Sequence, residues 1–144
     1  MINILSGIGS TSSALNAERI RMDVVSQNIA NANTTRGLDG KPYQRQQVVF
    51  EAVLNAQQAT AGTQGIEAGG TRVARIEQDQ RPPQLVYNPG HPHANSAGMV
   101  AMPNVNVHEE MVDLIAASRA FEANLAVVKN ARSMALQTLS IGKR

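Results

Sequence analysis

The 144-residue chain has no cysteine and no tryptophan, and only two phenylalanines and two tyrosines. Without thiols there is no disulfide, no thiolate metal ligand and no thiol nucleophile. With so few rings the usual bulky fillers of a self-contained core are nearly missing, while alanine alone supplies 20 positions. An excess of one charge is missing too: 13 Lys and Arg against 11 Asp and Glu leave +2, spread evenly along the chain. No basic run is interleaved with aromatics, so there is no platform for stacking bases, and nucleic acid is not an expected partner. No stretch approaches the ~18–20 apolar residues that span a bilayer. The segment Met1–Ser13 lacks the charged start and apolar run of a cleaved secretory signal. Arg19, Arg21 and several serines imitate a transit peptide, but Glu18 and Asp23 argue against one.

Proline is absent from both ends. All six prolines lie between Pro42 and Pro103, with seven of the eleven glycines between Gly40 and Gly98. Helix interiors exclude proline, so the distribution predicts helical ends around a non-helical middle. From Ile4 to about Ala32 the apolar positions recur helically: Ile8, Leu15, Met22 and Ile29 stand seven apart, with Val25 beside them. Asn16, Arg19, Asp23 and Gln27 occupy the opposite face. After Pro103, Asn106 with Glu109 three residues on reads as an Asn variant of the capping box, and Glu109, Glu110 and Asp113 match the positive end of the helix dipole. Leu114, Phe121, Val128 and Ala135 repeat every seven beside Met111, Ser118 and Leu125, and Gly142 marks a stop.

The middle reads as strands and turns. Gln46–Leu54, Thr71–Glu77, Gln84–Tyr87 and Met99–Met102 are the strand candidates; Asp39-Gly40, Pro82-Pro83, Asn88-Pro89-Gly90 and His91-Pro92 are the breaks. Asn55–Gly70 is Ala, Gln, Thr and Gly with Ile66 its only large hydrophobe, a flexible loop on composition. The expected fold is therefore mainly α with a small β insert: long N- and C-terminal helices paired as a coiled-coil-like unit around a central β/loop subdomain. Three segments follow: an N-terminal helix in 1–37, a central subdomain in 38–103 with 55–70 flexible, and a C-terminal helix in 104–144. Two helices make a thin core and leave stripes uncovered, Val24, Val112 and Val127 above all. Residues expected to pack against other subunits are Ile8, Leu15, Met22, Val25, Ile29, Met111, Leu114, Phe121, Leu125 and Val128.

Catalytic constellations are missing. There is no P-loop, no G-x-G-x-x-G, no G-x-S-x-G and no H-E-x-x-H. His91 and His93 begin a metal site only if His108 approaches, and no nearby carboxylate completes a ligand set. Glu109 and Glu110 are adjacent and do not face one another on a helix, so the dipole explains them better than paired-acid chemistry. Asn33-Thr34-Thr35 fits a glycosylation acceptor, but a helix end explains the same residues. Neither an enzyme nor a cofactor nor a metal is expected.

The segment Ser26-Gln27-Asn28-Ile29-Ala30-Asn31-Ala32-Asn33-Thr34-Thr35-Arg36-Gly37 resembles the N-terminal signature of the flagellar rod and hook axial proteins. Further pieces are similar in order and spacing to proximal rod members of that family: Asp39-Gly40-Lys41-Pro42-Tyr43, Gln47-Val48-Val49-Phe50, Leu85 to Pro92, Met102-Pro103-Asn104-Val105-Asn106-Val107, Glu110 to Ile115, and Ser118-Arg119-Ala120-Phe121-Glu122-Ala123-Asn124. The motif residues so matched include Asn28, Ala30, Asn31, Thr34, Gly37, Pro103, Asn104, Glu110, Arg119 and Asn124. Met99, His108, Asn88 and His93 depart from the family pattern.

The resemblance implies a structural subunit of the bacterial flagellar basal-body proximal rod, exported through the flagellar type III system without a cleaved signal into the periplasm. The implied partners are other flagellar rod proteins, an adaptor to the inner-membrane ring and the export apparatus, in a helical homo- and hetero-oligomeric assembly that serves motility, with no small-molecule substrate. On the residues themselves, Asn28, Asn31 and Asn33 suit capping of helix carbonyls or a bridge to a neighbouring subunit, and Gly37 an exit from the helix with φ > 0. The rival is a stand-alone helical-hairpin binding module on a β subdomain.

Overall fold

The computed structural model describes residues 4–37, 39–54 and 68–142. Helix α1 runs Ile4–Ala30, strands β1 and β2 run Gln46–Leu54 and Ala68–Gln78, β3 and β4 run Gln84–Tyr87 and Met99–Met102, and helix α2 runs Val107–Ile141. Each element falls where the periodicity and the prolines put it. The strand content is larger than a small insert implies. β1 and β2, of 9 and 11 residues, form an antiparallel hairpin, and β3 with β4 forms a second, shorter one. The predicted flexible loop falls mostly on 55–67, outside the described residues, but its last part is strand: β2 begins at Ala68.

Near the start of α1 the small hydroxyl residues bond back to helix carbonyls, Ser10 and Thr11 to the Gly7 oxygen at 3.0 and 2.8 Å and Ser13 to that of Ser10 at 2.7 Å. At its end the Asn31 amide donates to the Gln27 oxygen at 2.9 Å. The exit is not made by Gly37 at positive φ; that conformation belongs to Gly40, at +73°. The turn is closed by the Gly37 and Lys41 backbones instead, Gly37 N–H to Lys41 oxygen at 2.8 Å. At the start of α2, Asn106 caps through its side-chain oxygen, which accepts from His108 N–H at 3.1 Å. Glu109 completes a rearranged box by accepting from the Asn106 amide at 3.0 Å.

The two helices are antiparallel neighbours. Asn28, near the end of α1, touches Glu110 at the start of α2, and Arg21, two turns back along α1, touches Asp113. At ~1.5 Å per residue α2 is about 50 Å long and α1 about 40 Å, so the last turns of α2 project past α1. The centre of the contact is built from small residues. Ala17 and Ala117 are buried, with Val24 and Val25 beside them. Alanines allow close approach of the axes, which pushes the larger side chains to the flanks.

This shifts the predicted stripes. Ile8, Leu15, Met22 and Ile29 are half-buried and flank the α1 core line rather than forming it. Val24, expected to be left outward, is 4% exposed, and Val25, expected to meet another subunit, is 5% exposed and covered within the chain. On α2 the innermost line is Glu110, Ala117, Asn124 and Ala131; Leu114, Phe121 and Val128 run half-buried beside it, and Met111 and Leu125 are exposed.

The β1–β2 hairpin lies along α1. Gln46 meets Asn28 near the helix end, and Thr71 N–H donates to Ser13 Oγ at 3.1 Å two turns from the helix start. Cross-strand Glu51 pairs with Arg72, and Arg75 with Glu77 along β2. The hairpin approaches so closely at Gly70 that a Cβ there would sit 2.4 Å from Ser13 Oγ, on a backbone at φ +130°. Gly70→Ala is therefore expected to destabilise the chain by about 1–3 kcal/mol through strain and displacement of the hairpin. Urea unfolding checks this, and an unchanged midpoint would show that the contact carries no weight.

Candidate functional site

Where the end of α1, the start of β1, the end of β2 and the start of α2 meet, polar groups are buried instead of apolar ones. Asn28 and Glu110 are both 0% exposed. The Asn28 amide uses its full hydrogen-bonding capacity. Its nitrogen donates to Gln46 O and to Glu110 Oε2, both at 2.8 Å, and its oxygen accepts from Tyr43 Oη and from Gln46 N–H, both at 2.9 Å. It thus stands in for a strand neighbour at the free edge of β1, while tying that edge to both helices.

Glu110 accepts from Arg45 Nε at 2.6 Å on its other oxygen. Arg45 also reaches Asp79 at 3.7 Å and Asp113 at 3.6 Å, and Asp113 takes Arg21 at 3.2 Å. Asp79 is held by Arg81 at 2.7 Å, and Arg81 N–H donates to its second oxygen at 3.0 Å. Asn104 closes the ring from the other side. Its oxygen accepts from Arg45 N–H at 2.8 Å and its nitrogen donates to Asp79 O at 3.2 Å and Arg81 O at 3.0 Å. Pro103, which has no backbone N–H to satisfy, is buried beside it. Three arginines face these three carboxylates, and Glu18 adds a longer contact to Arg21 at 3.9 Å.

The electrostatics follow from these contacts. Hydrogen bonds from the Arg81 side chain and backbone hold the Asp79 carboxyl below the usual range, with Arg45 adding to the effect, and Arg81 is raised in return. Burial, with the Glu110 charge second, pushes the Tyr43 phenol up. Because folding lowers the Asp79 value, the unfolded chain holds more protons between the folded value and about 3.9, and stability rises with pH across that window. The contribution is complete above about pH 4 and is lost as pH falls through the folded value. The gap in melting temperature between the unaltered chain and Asp79→Asn should therefore narrow as pH is lowered below about 4. A gap that stays constant down to the acid limb would contradict it.

Of the motif residues singled out in the sequence, the structure brings Asn28, Pro103, Asn104 and Glu110 together. Asn31 and Thr34 stand just outside, where Thr34 O accepts from Tyr43 N–H at 3.1 Å. Asn124 is half-buried on the inner line of α2, whereas Ala30, Gly37 and Arg119 are exposed and apart. Asn28 cannot bridge to another subunit, being wholly enclosed. Glu110 is more than a dipole complement, since its carboxylate is spent on Arg45 and Asn28. Arg45, Asp79, Arg81 and Asp113 escaped the sequence reading as site residues. One signal was available: Glu110 shares the seven-residue line of Ala117, and a charge on a buried line calls for a partner elsewhere.

The junction has no nucleophile poised against a base, and its acids are paired. His91 and His93 stack edge to face with centroids 5.3 Å apart, and their Nδ1 atoms are engaged by His93 N–H and Thr35 Oγ1. Among the described residues no three His, Asp or Glu side chains converge as a ligand set, and no helix is long and apolar enough to cross a membrane.

Residues 10–36 match the family described as "Flagella basal body rod protein", and residues 96–141 the one described as "Flagellar basal body rod FlgEFG protein C-terminal". The chain is 43% identical to the flagellar basal-body rod protein FlgC of Yersinia enterocolitica, over 99% of this chain and 98% of that one. It is 42% identical to that of Salmonella typhimurium over the same shares, and 40% identical to that of Bacillus subtilis over 92% and 94%. These likenesses run through both helices and the hairpins between them, and the chain belongs to the FlgC family of flagellar basal-body rod proteins.

Proposed function

We infer that the chain works as a structural, non-enzymatic subunit of the flagellar basal-body rod, assembling with other rod components through the outward faces of its two helices. The observation that carries this reading is the surface of α2. Beyond the line turned to α1, it exposes Met111, Ile115 and Leu125 on one side and Val112, Val127, Met134 and Ile141 on the other. At about 100° per residue the second set, with Ala116 and Ala123, falls within ~60° of arc, whose one charged side chain among the described residues is Glu109 in the first turn. Large apolar side chains exposed on two flanks of one helix, beside the line it buries, call for further partners. A chain that folded alone as a binding module would be expected to cover two of these three faces itself.

The buried junction supplies the rigidity such a subunit needs. It fixes the angle between the helix pair and the hairpins by bonds that only one arrangement satisfies, so each copy presents its faces in the same geometry. Contacts between different faces of successive copies do not close on themselves and continue as a helical rod. On this reading the helices form the inner wall and the hairpins lie outside, in the proximal part of the rod. An adaptor to the inner-membrane ring and the export apparatus are the further partners, with delivery through the type III path and no cleaved signal. Tracing this chain in images of intact basal bodies tests the reading. Density for α1 and α2 packed around the rod axis is expected; a chain absent from purified basal bodies would overturn it.

A further inference from the structure

The hydrogen bonds at the ends of the two hairpins show which way each strand backbone points. Asn88 N–H donates to Gly98 O at 2.9 Å, one step beyond the Tyr87–Met99 pair. Bonded and non-bonded pairs alternate along an antiparallel ladder, so the backbones of Leu85 and Tyr87 turn away from β4. Met99, opposite Tyr87, agrees: on its own far side its N–H donates to Asn95 Oδ1 and its oxygen accepts from Asn95 N–H, both at 2.9 Å. In the first hairpin Asp79 N–H donates to Arg45 O at 2.8 Å, which by the same alternation turns Gln46 outward on β1 and Ile76 and Gln78 outward on β2.

Two of these four edges are closed within the chain, β4 by Asn95 at Met99 and β1 by Asn28 at Gln46. The other two are open. Among the described residues the outward N–H and C=O groups of Leu85, Tyr87 and Ile76 have no hydrogen-bond partner, and at Gln78 only the oxygen is engaged, by the exposed Gln80 amide at 3.3 Å. β3 has neither charge nor bulge, meets no described element but β4, and leaves Leu85 and Tyr87 64% and 69% exposed. Such a row of donors and acceptors is complemented by another extended backbone. The open edge of β2 is one, and within a single chain it is kept from β3 by the connection 79–83, whose Asp79 and Arg81 oxygens are bound to Asn104.

We propose that copies of this chain join by laying β3 of one along β2 of the next, antiparallel, with Leu85 opposite Gln78 and Tyr87 opposite Ile76. This register pairs all four outward residues; a slip of two in either direction sets a β3 residue against Gln80, beyond the strand, or Ala74, at the bulge. Tyr87 then lies beside Ile76 with Leu85 diagonal to it, so three exposed apolar side chains meet on one face in a register set by the backbone alone. The result is a continuous sheet, β4-β3-β2-β1, across two copies. The two edges differ, so the contact is heterologous and repeats from copy to copy. It rests on the rod-subunit reading and adds to it a contact between hairpins, with its direction and register.

The absence of native cysteine makes the test direct. Val86 and Glu77 fall opposite one another at the non-bonded site between the two proposed pairs, where Cβ atoms come closest and a disulfide fits. Cells lacking their own rod protein of this family are given Val86→Cys and Glu77→Cys variants of the full chain together, so that only a contact between copies yields a covalent dimer in oxidised basal bodies. A dimer is expected, and neither variant alone should form one. Leu85→Pro in the Val86→Cys chain removes an outward N–H, leaves the bonds to β4 in place and should lower the yield roughly tenfold, whereas Leu85→Thr, which keeps that N–H, should retain it. No dimer in basal bodies of motile cells, a dimer from Val86→Cys alone, or a yield indifferent to Leu85→Pro overturns the proposal while the rod-subunit reading stands. If a cysteine variant is not incorporated, the same cross-link on the concentrated purified chain decides by the same criteria. Basal bodies that never contain the chain overturn the rod-subunit reading itself.

Discussion

Glu110→Gln should lower the stability of the purified chain by about 3–5 kcal/mol, the cost of breaking a buried charged pair. The substitution keeps the size and most of the shape of the side chain, so the effect isolates the chemistry. A carboxylate accepts on both oxygens, here from Asn28 and from Arg45. An amide has one oxygen, so whichever way it turns, one donor meets a donor, and Arg45 keeps a charge in a half-closed site with only its longer contacts to Asp79 and Asp113. Urea unfolding measures the loss, and Arg45→Met provides the second arm of a double-mutant cycle. The two changes should be strongly non-additive, because each removes the same bond. A loss below about 1 kcal/mol, or simple additivity, would mean that the junction does not hold the layers together.

Leu125→Asp should abolish rod incorporation and motility while leaving the free chain folded. Leu125 is 36% exposed, on the outward flank of α2 beside Met111, so a carboxylate there is solvated in the monomer. In an assembly that covers this flank, each copy would carry an unpaired buried charge, costing several kcal/mol per contact and repeated along the rod. Swimming assays report the loss; circular dichroism of the purified variant and its appearance among exported proteins separate failed assembly from failed folding or delivery. Leu125→Met should swim normally. Normal motility of Leu125→Asp would remove this flank from the interface.

The elements were legible in the sequence because each is punctuated. Pro103 and Asn106 set the start of α2, and the turn pairs bracket β3 and β4 at the observed residues. The helix faces were less legible. Large apolar residues drew the predicted stripes to Leu15, Met22 and Leu114, whereas the most deeply buried apolar residues of the two helices, among those described, are Ala17 and Ala117, whose small size gives a weak hydrophobic signal. Gly37 was given a positive φ that Gly40 has, since composition marks a turn without marking which glycine makes it. The junction was half legible. Asn28, Asn104 and Glu110 stood out as motif residues, but nothing local links them to Arg45 or Asp79, which lie in segments that read as ordinary strand edges.

The Asn28–Glu110 bond spans 82 positions, and Arg45–Glu110 spans 65. No shorter piece of the chain contains them. A polypeptide released end-on with its N-terminus leading cannot close this lock until residue 110 is free, and one released from the other end must wait for residue 28. Early portions therefore lack the one arrangement that commits the helices to each other, and they remain pliant until most of the chain is out. The junction acts as a clasp that can be fastened only late.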